Sequence, residues 1–282
     1  MKPHLVEPWL QFSTPIVRQL GFAIASCNIL RHLPQDLCIT HAFQLHSDDV
    51  WQQHFLDYLP KLQALDHNPQ PVLDFVAKLK STRLGLRFEM LVWFWLLDDT
   101  YHPYQLLGHS IQVIDGPRTI GELDFLIFNR DLKRIEHWEI AVKYYLAEHD
   151  YSLQHWYGLN RSDRLARKLL HFTEKQFQFQ QALQHEIEAR FCMLKGQLYL
   201  PVHHPHPLPT WINPTRRLGH WGHHIPAAQL GYYRLQRHEW ICADASPTSH
   251  HALWWTDGLY KRQDCEDYYM YRQAPHLTRS SV

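Results

Sequence analysis

The chain has 282 residues, 45% hydrophobic and 20% charged, which excludes a disordered or collagen-like polymer and suits one large domain or two small ones. Lys plus Arg and Asp plus Glu are both 28, so a nucleic-acid role must rest on a local patch and not on overall charge. Five scattered cysteines with no CxxC pair, an N-terminus without an apolar signal core and no apolar run near the ~20 residues of a membrane span are expected of a soluble cytoplasmic protein.

In chain order, residues 14–29 and 48–65 carry apolar side chains at helical spacing. The segment DHNPQP (66–71) reads as a loop, and a short helix is expected over 71–79. A further helix starts after a Ser81 or Thr82 cap and runs through LGLRFEMLVWFWLL to Leu97. It is apolar almost all round from Phe88, which predicts burial, and Glu89 is the one ionisable group in that stretch.

The pattern then changes to period two. YQLLGHSIQVID, TIGELDFLIFN and KRIEHWEIAVKYYL read as three strands, joined by DGPR and NRD turns, and so as an antiparallel meander. A helix is expected within residues 160–191, with Leu165, Leu169, Phe172 and Phe179 inward, then a strand or short hairpin over 191–201. From Val202 onward the chain is rich in His, Pro and Trp without a clear period. It is expected to form an irregular lobe packed on the core.

Alternate residues of a strand share a face, roughly 6.6–7 Å apart. Glu139, Ala141, Lys143 and Tyr145 therefore point one way, and Trp138, Ile140, Val142 and Tyr144 the other. If the second and third strands pair, Asp124, Glu139 and Lys143 converge on one patch, fifteen residues separating the two acids, and a helix packed on the sheet could bring Glu89 to them. The plainer reading of Asp124, Glu139 and Lys143 is a salt bridge on a half-exposed sheet face.

The order of these residues — an acid on a helix, Asp on the second strand, Glu and Lys on the third, then a helix and another strand — resembles the PD-(D/E)XK nuclease superfamily over about residues 79–201. GELDFLIF, HWEIAVKYYL, WYGLNRSDRLARKLL and LKGQLYLP also look like an uncharacterised bacterial family catalogued as a domain of unknown function, along nearly the whole chain. The superfamily resemblance implies an α/β (α+β) fold. Its restriction-endonuclease-like core (79–201) would hold a central antiparallel or mixed sheet flanked by helices, with N-terminal helices (1–78) and the His/Trp/Pro-rich lobe (202–282) around it. It also implies hydrolysis of DNA or RNA phosphodiesters with Mg²⁺ or Mn²⁺ on Glu89, Asp124 and Glu139, and Lys143 assisting catalysis. The superfamily pattern is Glu-x-Lys with a Pro-Asp dipeptide. Here the lysine stands two residues later on the same face, and Leu123 precedes Asp124.

Arg161, Arg164, Arg167 and Lys168 open the helix after the sheet, either as phosphate contacts or as a solvated helix face. His203, His204, His206, His220, His223 and His224, with Cys242 and Cys265, lack the ordered spacing of a zinc site, so zinc is not expected. Trp211, Trp221, Trp240, Trp254 and Trp255 could stack on bases or pack the lobe. No GxxxxGKS/T, GxGxxG, GxSxG or HExxH motif occurs. The rival to an enzyme is a catalytically inactive module of the same fold that binds nucleic acid or a protein.

Overall fold

The computed structural model describes residues 5–203, 206–226 and 231–274. Four helices precede the sheet: α1 (Pro15–Ala25), α2 (Asp48–His67), α3 (Gln70–Ala77) and α4 (Leu84–Leu96). Helix α1 starts on a proline at its first position, where the missing N–H has no partner to lose, and stops four residues short of the expected end. Residues after Ser26 turn to the sheet instead, and the Ile29 N–H donates to the Leu194 carbonyl at 2.9 Å. Only residues 68 and 69 separate α2 from α3, because α2 runs through Pro60 to His67. No side chain caps α4, although the Arg83 N–H donates to Ser81 Oγ at 3.2 Å.

The meander follows as read: β1 (Tyr104–Asp115), β2 (Arg118–Asn129) and β3 (Arg134–Ala147), paired antiparallel in that order. The expected long helix is broken. Helix α5 spans only Leu165–Glu174, and the chain then makes a small separate hairpin, β5 (Gln181–Ala182) with β6 (His185–Glu186). From there β7 (Ala189–Pro201) enters the sheet parallel to β3, so that α5 lies in a β–α–β crossover.

The region expected to be irregular adds more of the same sheet. Strands β8 (Leu218–Gly222), β9 (Tyr232–Arg234), β10 (Gly258–Arg262) and β11 (Tyr268–Tyr271) continue it in the order β1-β2-β3-β7-β8-β11-β10-β9. With the two-residue β4 (Trp156–Tyr157) on β3, one mixed sheet has nine strands. Within it β3, β7, β8 and β11 all run parallel. The three to five residues of β8–β11 are too short to show a two-residue period, which is why the sequence pattern missed them.

Two cores sandwich this sheet, as the two faces of β3 require. Trp138, Ile140, Val142, Tyr144 and Leu146 pack with α1, α2 and α4, whereas Ala141 and Tyr145 pack with Leu165, Leu169 and Phe172 of α5. Trp138 has no exposed surface and lies against Trp51, Trp95, Tyr104 and Phe191. Burying one such ring contributes about 2–3 kcal/mol. The structure is thus a mixed α/β protein built on one large mixed sheet flanked by helices.

Candidate active site

The β2–β3 ladder ends at the pair Phe125/Trp138. One residue further along, side chains replace the main-chain partners. The Ile140 N–H donates to Asp124 Oδ2 at 2.8 Å, and the Asp124 N–H donates to Glu139 Oε1 at 3.3 Å. Around this point β2 also loses its alternation, since Leu123 and Leu126 share one small cluster with Phe179, Ala182 and Ile187 while Phe125 packs in the main core. The strands fork, and both carboxylates sit in the fork.

Glu139 is 1% exposed. Its Oε1 also meets His137 Nε2 at 2.7 Å, and its Oε2 accepts from Gln176 Nε2, just beyond α5. Burial pushes its pKa up to about 7, against the Gln176 hydrogen bond and the charge of Lys168. Asp124 is half-buried, and its pKa stands well above the usual carboxylate range. Lost hydration is the main cause, followed by the charge of Glu139, with Glu89 adding to it and Lys168 opposing. Burial pushes the pKa of His137 down to about 3, so a neutral ring donates through Nε2 to Glu139, and its Nδ1 has no partner among the described residues.

The other expected residues divide. Glu89, on α4, acts on Asp124 through its field, but its Oε1 is engaged by His109 Nε2 at 2.7 Å and by Ser110 Oγ at 3.3 Å. Lys143 lies on the expected face with its Nζ donating to Asp163 Oδ2 at 2.7 Å; Tyr145 holds the other oxygen of Asp163 at 3.2 Å. Arg161 and Arg164 sit over the ring of Tyr157, at 4.3 and 5.1 Å from its centroid, and Arg161 pairs with Glu148. Lys168 is the basic residue whose charge acts on both Glu139 and Asp124. Burial lowers its pKa, and the attraction of Cys192, Glu139 and Asp124 works the other way.

The sequence held a signal for this place of Lys168. Leu165, Lys168, Leu169 and Phe172 recur at helical spacing, so Lys168 lies on the face of α5 turned to the sheet, with Nζ 3.9 Å from the Phe172 ring centroid. Gln176 and His137 carried none, because their role depends on the turn after α5 and on the fork.

The carboxylates of Asp124 and Glu139 are hard oxygen donors, and their raised pKa values reflect lost hydration, with the charge of Glu139 adding to it at Asp124, a cost that a cation would offset. Mg²⁺ is commonly held by one or two carboxylates plus water and substrate phosphate, so this pair fits such an ion. Among the described residues, no three His, Cys, Asp or Glu side chains are grouped to hold a metal by themselves. That statement covers His203, His206, His220, His223, His224, Cys242 and Cys265, while His204 lies outside the described residues. Of the late tryptophans, Trp211, Trp221, Trp240 and Trp255 are buried in the packing and Trp254 is 87% exposed. No helix among the described residues is long and apolar enough to cross a membrane.

A mixed α/β protein with an acid pair at a strand fork is the class that fold and site define. A family model described as domain of unknown function (DUF1853) matches residues 18–270, and the chain belongs to that family. No curated protein matches the chain, and no solved structure does.

Proposed function

We propose that the chain is a metal-dependent nuclease of PD-(D/E)XK type, with Asp124 and Glu139 holding the ion and Lys168 serving as the site's cation. The observation that carries this reading is the fork, where the Asp124 and Glu139 carboxylates meet through the Ile140 and Asp124 N–H groups and both carry raised pKa values that the charge of Lys168 opposes. The order α4, β1–β2–β3, α5, β7 supports it, since it repeats the order of the superfamily with Glu89, Asp124 and Glu139 on the corresponding elements. Bound there, Mg²⁺ or Mn²⁺ would lower the pKa of a coordinated water and stabilise charge on a phosphodiester.

This chain's own groups have distinct parts. Asp124 and Glu139 would hold the ion as carboxylates, and His137 and Gln176 fix the orientation of Glu139. The Lys168 ammonium, on a packed helix, neutralises charge developing on the scissile phosphate. Lys143, paired with Asp163, orders the entry to α5 and takes no part in the chemistry. Arg164, over Tyr157 at the N-terminus of α5, is placed to contact phosphates of a DNA or RNA backbone.

The test is cleavage of plasmid, linear duplex and single-stranded DNA and RNA with Mg²⁺ or Mn²⁺, using Asp124→Asn, Lys168→Met and Lys143→Met. Cleavage lost in the first two and kept in the third supports this assignment. Loss on Lys143→Met with activity kept in Lys168→Met returns the catalytic role to Lys143. The engagement of Glu89, the third expected acid, by His109 and Ser110 favours a second reading, a binding module that keeps the fold without cleaving. Wild type that neither cleaves nor binds Mn²⁺ by calorimetry establishes that reading.

A further inference from the structure

A cleft of about 1220 Å³ opens at the other end of the sheet, where β3, β7, β8 and β11 all present their carboxyl ends. Ligands of open parallel sheets gather at such ends, outside the strands and not along them. The residues lining it include Glu148 just past β3, Pro201 at the end of β7, Trp221 on β8 and Arg272 just past β11. Glu139 stands eight residues upstream of the cleft on β3, roughly 26 Å at strand spacing, so this is not the fork described above.

The wall is rich in donors. Glu148 Oε1 accepts from both Arg272 Nη2, at 2.7 Å, and Arg161 Nη1, so one carboxylate serves two guanidinia. Asp257, the other lining acid, accepts the Gln273 N–H at 2.7 Å. Arg272 is 9% exposed, its guanidinium lies 4.5 Å from the Trp221 ring centroid, and its Nη1 has no partner among the described residues. Arg161, over the Tyr157 ring at 4.3 Å from its centroid, has further N–H groups to offer. Six histidines, among them His203, His206 and His220, also line the cleft. Much of the remaining wall is apolar, from Leu159, Pro201, Val202, Ile225 and Pro226.

Two guanidinia held rigidly by one carboxylate and two aromatic faces, with spare N–H groups, suit a phosphate oxygen fork. A volume above the usual range of small-molecule pockets, with apolar walls, leaves room for a planar body attached to that phosphate. We propose that this cleft binds a nucleoside monophosphate, the phosphate on Arg272 and Arg161 and the nucleoside against the apolar wall. The proposal is independent of hydrolysis at Asp124 and Glu139.

Calorimetric titration of the full chain with AMP, adenosine and inorganic phosphate, in EDTA so that no divalent cation contributes, tests it directly. AMP is expected to bind tighter than either of its parts. Arg272→Gln and Arg161→Gln are each expected to weaken AMP by about tenfold to a hundredfold, the worth of a charged hydrogen bond to phosphate. Arg161 is half exposed, so its substitution reads the site even where Arg272→Gln fails to fold, which a thermal melt reveals. AMP binding no tighter than adenosine or phosphate, or unchanged affinity in Arg161→Gln, overturns the proposal. Because no cleavage is read, failure of the nuclease assignment leaves this outcome unaffected.

Discussion

Glu139→Gln offers the sharpest measurement of what the fork costs. The folded chain holds the Glu139 carboxyl at about 7 against an ordinary 4.5, chiefly through burial. A carboxyl with a raised folded pKa binds more protons folded than unfolded. The stability it contributes is therefore full below pH 4.5 and is lost as pH rises through about 7. The span corresponds to about 3 kcal/mol. Glutamine keeps the volume and cannot ionise, so the variant gains on wild type by up to that amount between pH 4.5 and pH 8, on top of a pH-independent offset for the altered hydrogen bonds. His46 and His54, both pushed down to about 3 by burial, act in the opposite sense in both proteins. The stability they give is full above pH 6.5 and is lost as pH falls toward 3, so it cancels in the difference. Urea denaturation of both proteins at pH 4.5, 6, 7 and 8.5 in EDTA measures it. A difference that stays flat across this range, or that moves in favour of wild type at pH 8.5, would refute the reasoning.

Other predictions follow from single contacts. Substituting Gly196 by Ala lowers stability by at least about 3 kcal/mol, read as a fall in melting temperature, since φ there is +124° and a Cβ would overlap the Lys143 carbonyl. The native protein exposes two thiols to a disulfide reagent, Cys38 and Cys265, and the three buried ones react only after unfolding. On the proposed metal site, removing the Lys168 charge with Lys168→Met raises the pKa values of Asp124 and Glu139 further, so Mn²⁺ binding measured by calorimetry is expected to move to higher pH, whereas Lys143→Met, whose charge acts on Lys168, is expected to shift that profile far less.

What the sequence revealed and what it hid have a common cause. Strands of 12–14 residues repeat their period often enough to be read, and β1 to β3 fall within a residue or so of the expected ends. The apolar and polar faces of β3 also divide as expected, because a residue's face depends only on its parity. The sequence predicts a longer α5 because its polar continuation, EKQFQFQQALQHEIEAR, carries few turn signals, yet that stretch folds into a short turn and the β5–β6 hairpin. Positions of side chains across elements were harder still. Asp124 and Glu139 meet because the two strands part beyond Phe125 and Trp138, and no local pattern encodes a ladder's end.

Spacing and packing point to different lysines. Lys143 is two residues along β3 from Ala141 and four from Glu139, on the correct face, and by spacing alone it is the nearer candidate. Yet Asp163, just ahead of α5, lies within 2.7 Å of its ammonium, and Tyr145 anchors the same carboxylate. Moving Lys143 to the fork would leave Asp163 with the Tyr145 hydroxyl alone, about 41% exposed and without its cation. Lys168 needs no such exchange, since its stem already lies over Phe172 inside the α5 interface and its charge already acts on both acids. A lysine half-buried beside an acid pair loses hydration, and the carboxylates opposite are what compensate it. The two acids and Lys168 are therefore one electrostatic unit, and altering any one of them moves the protonation of the other two.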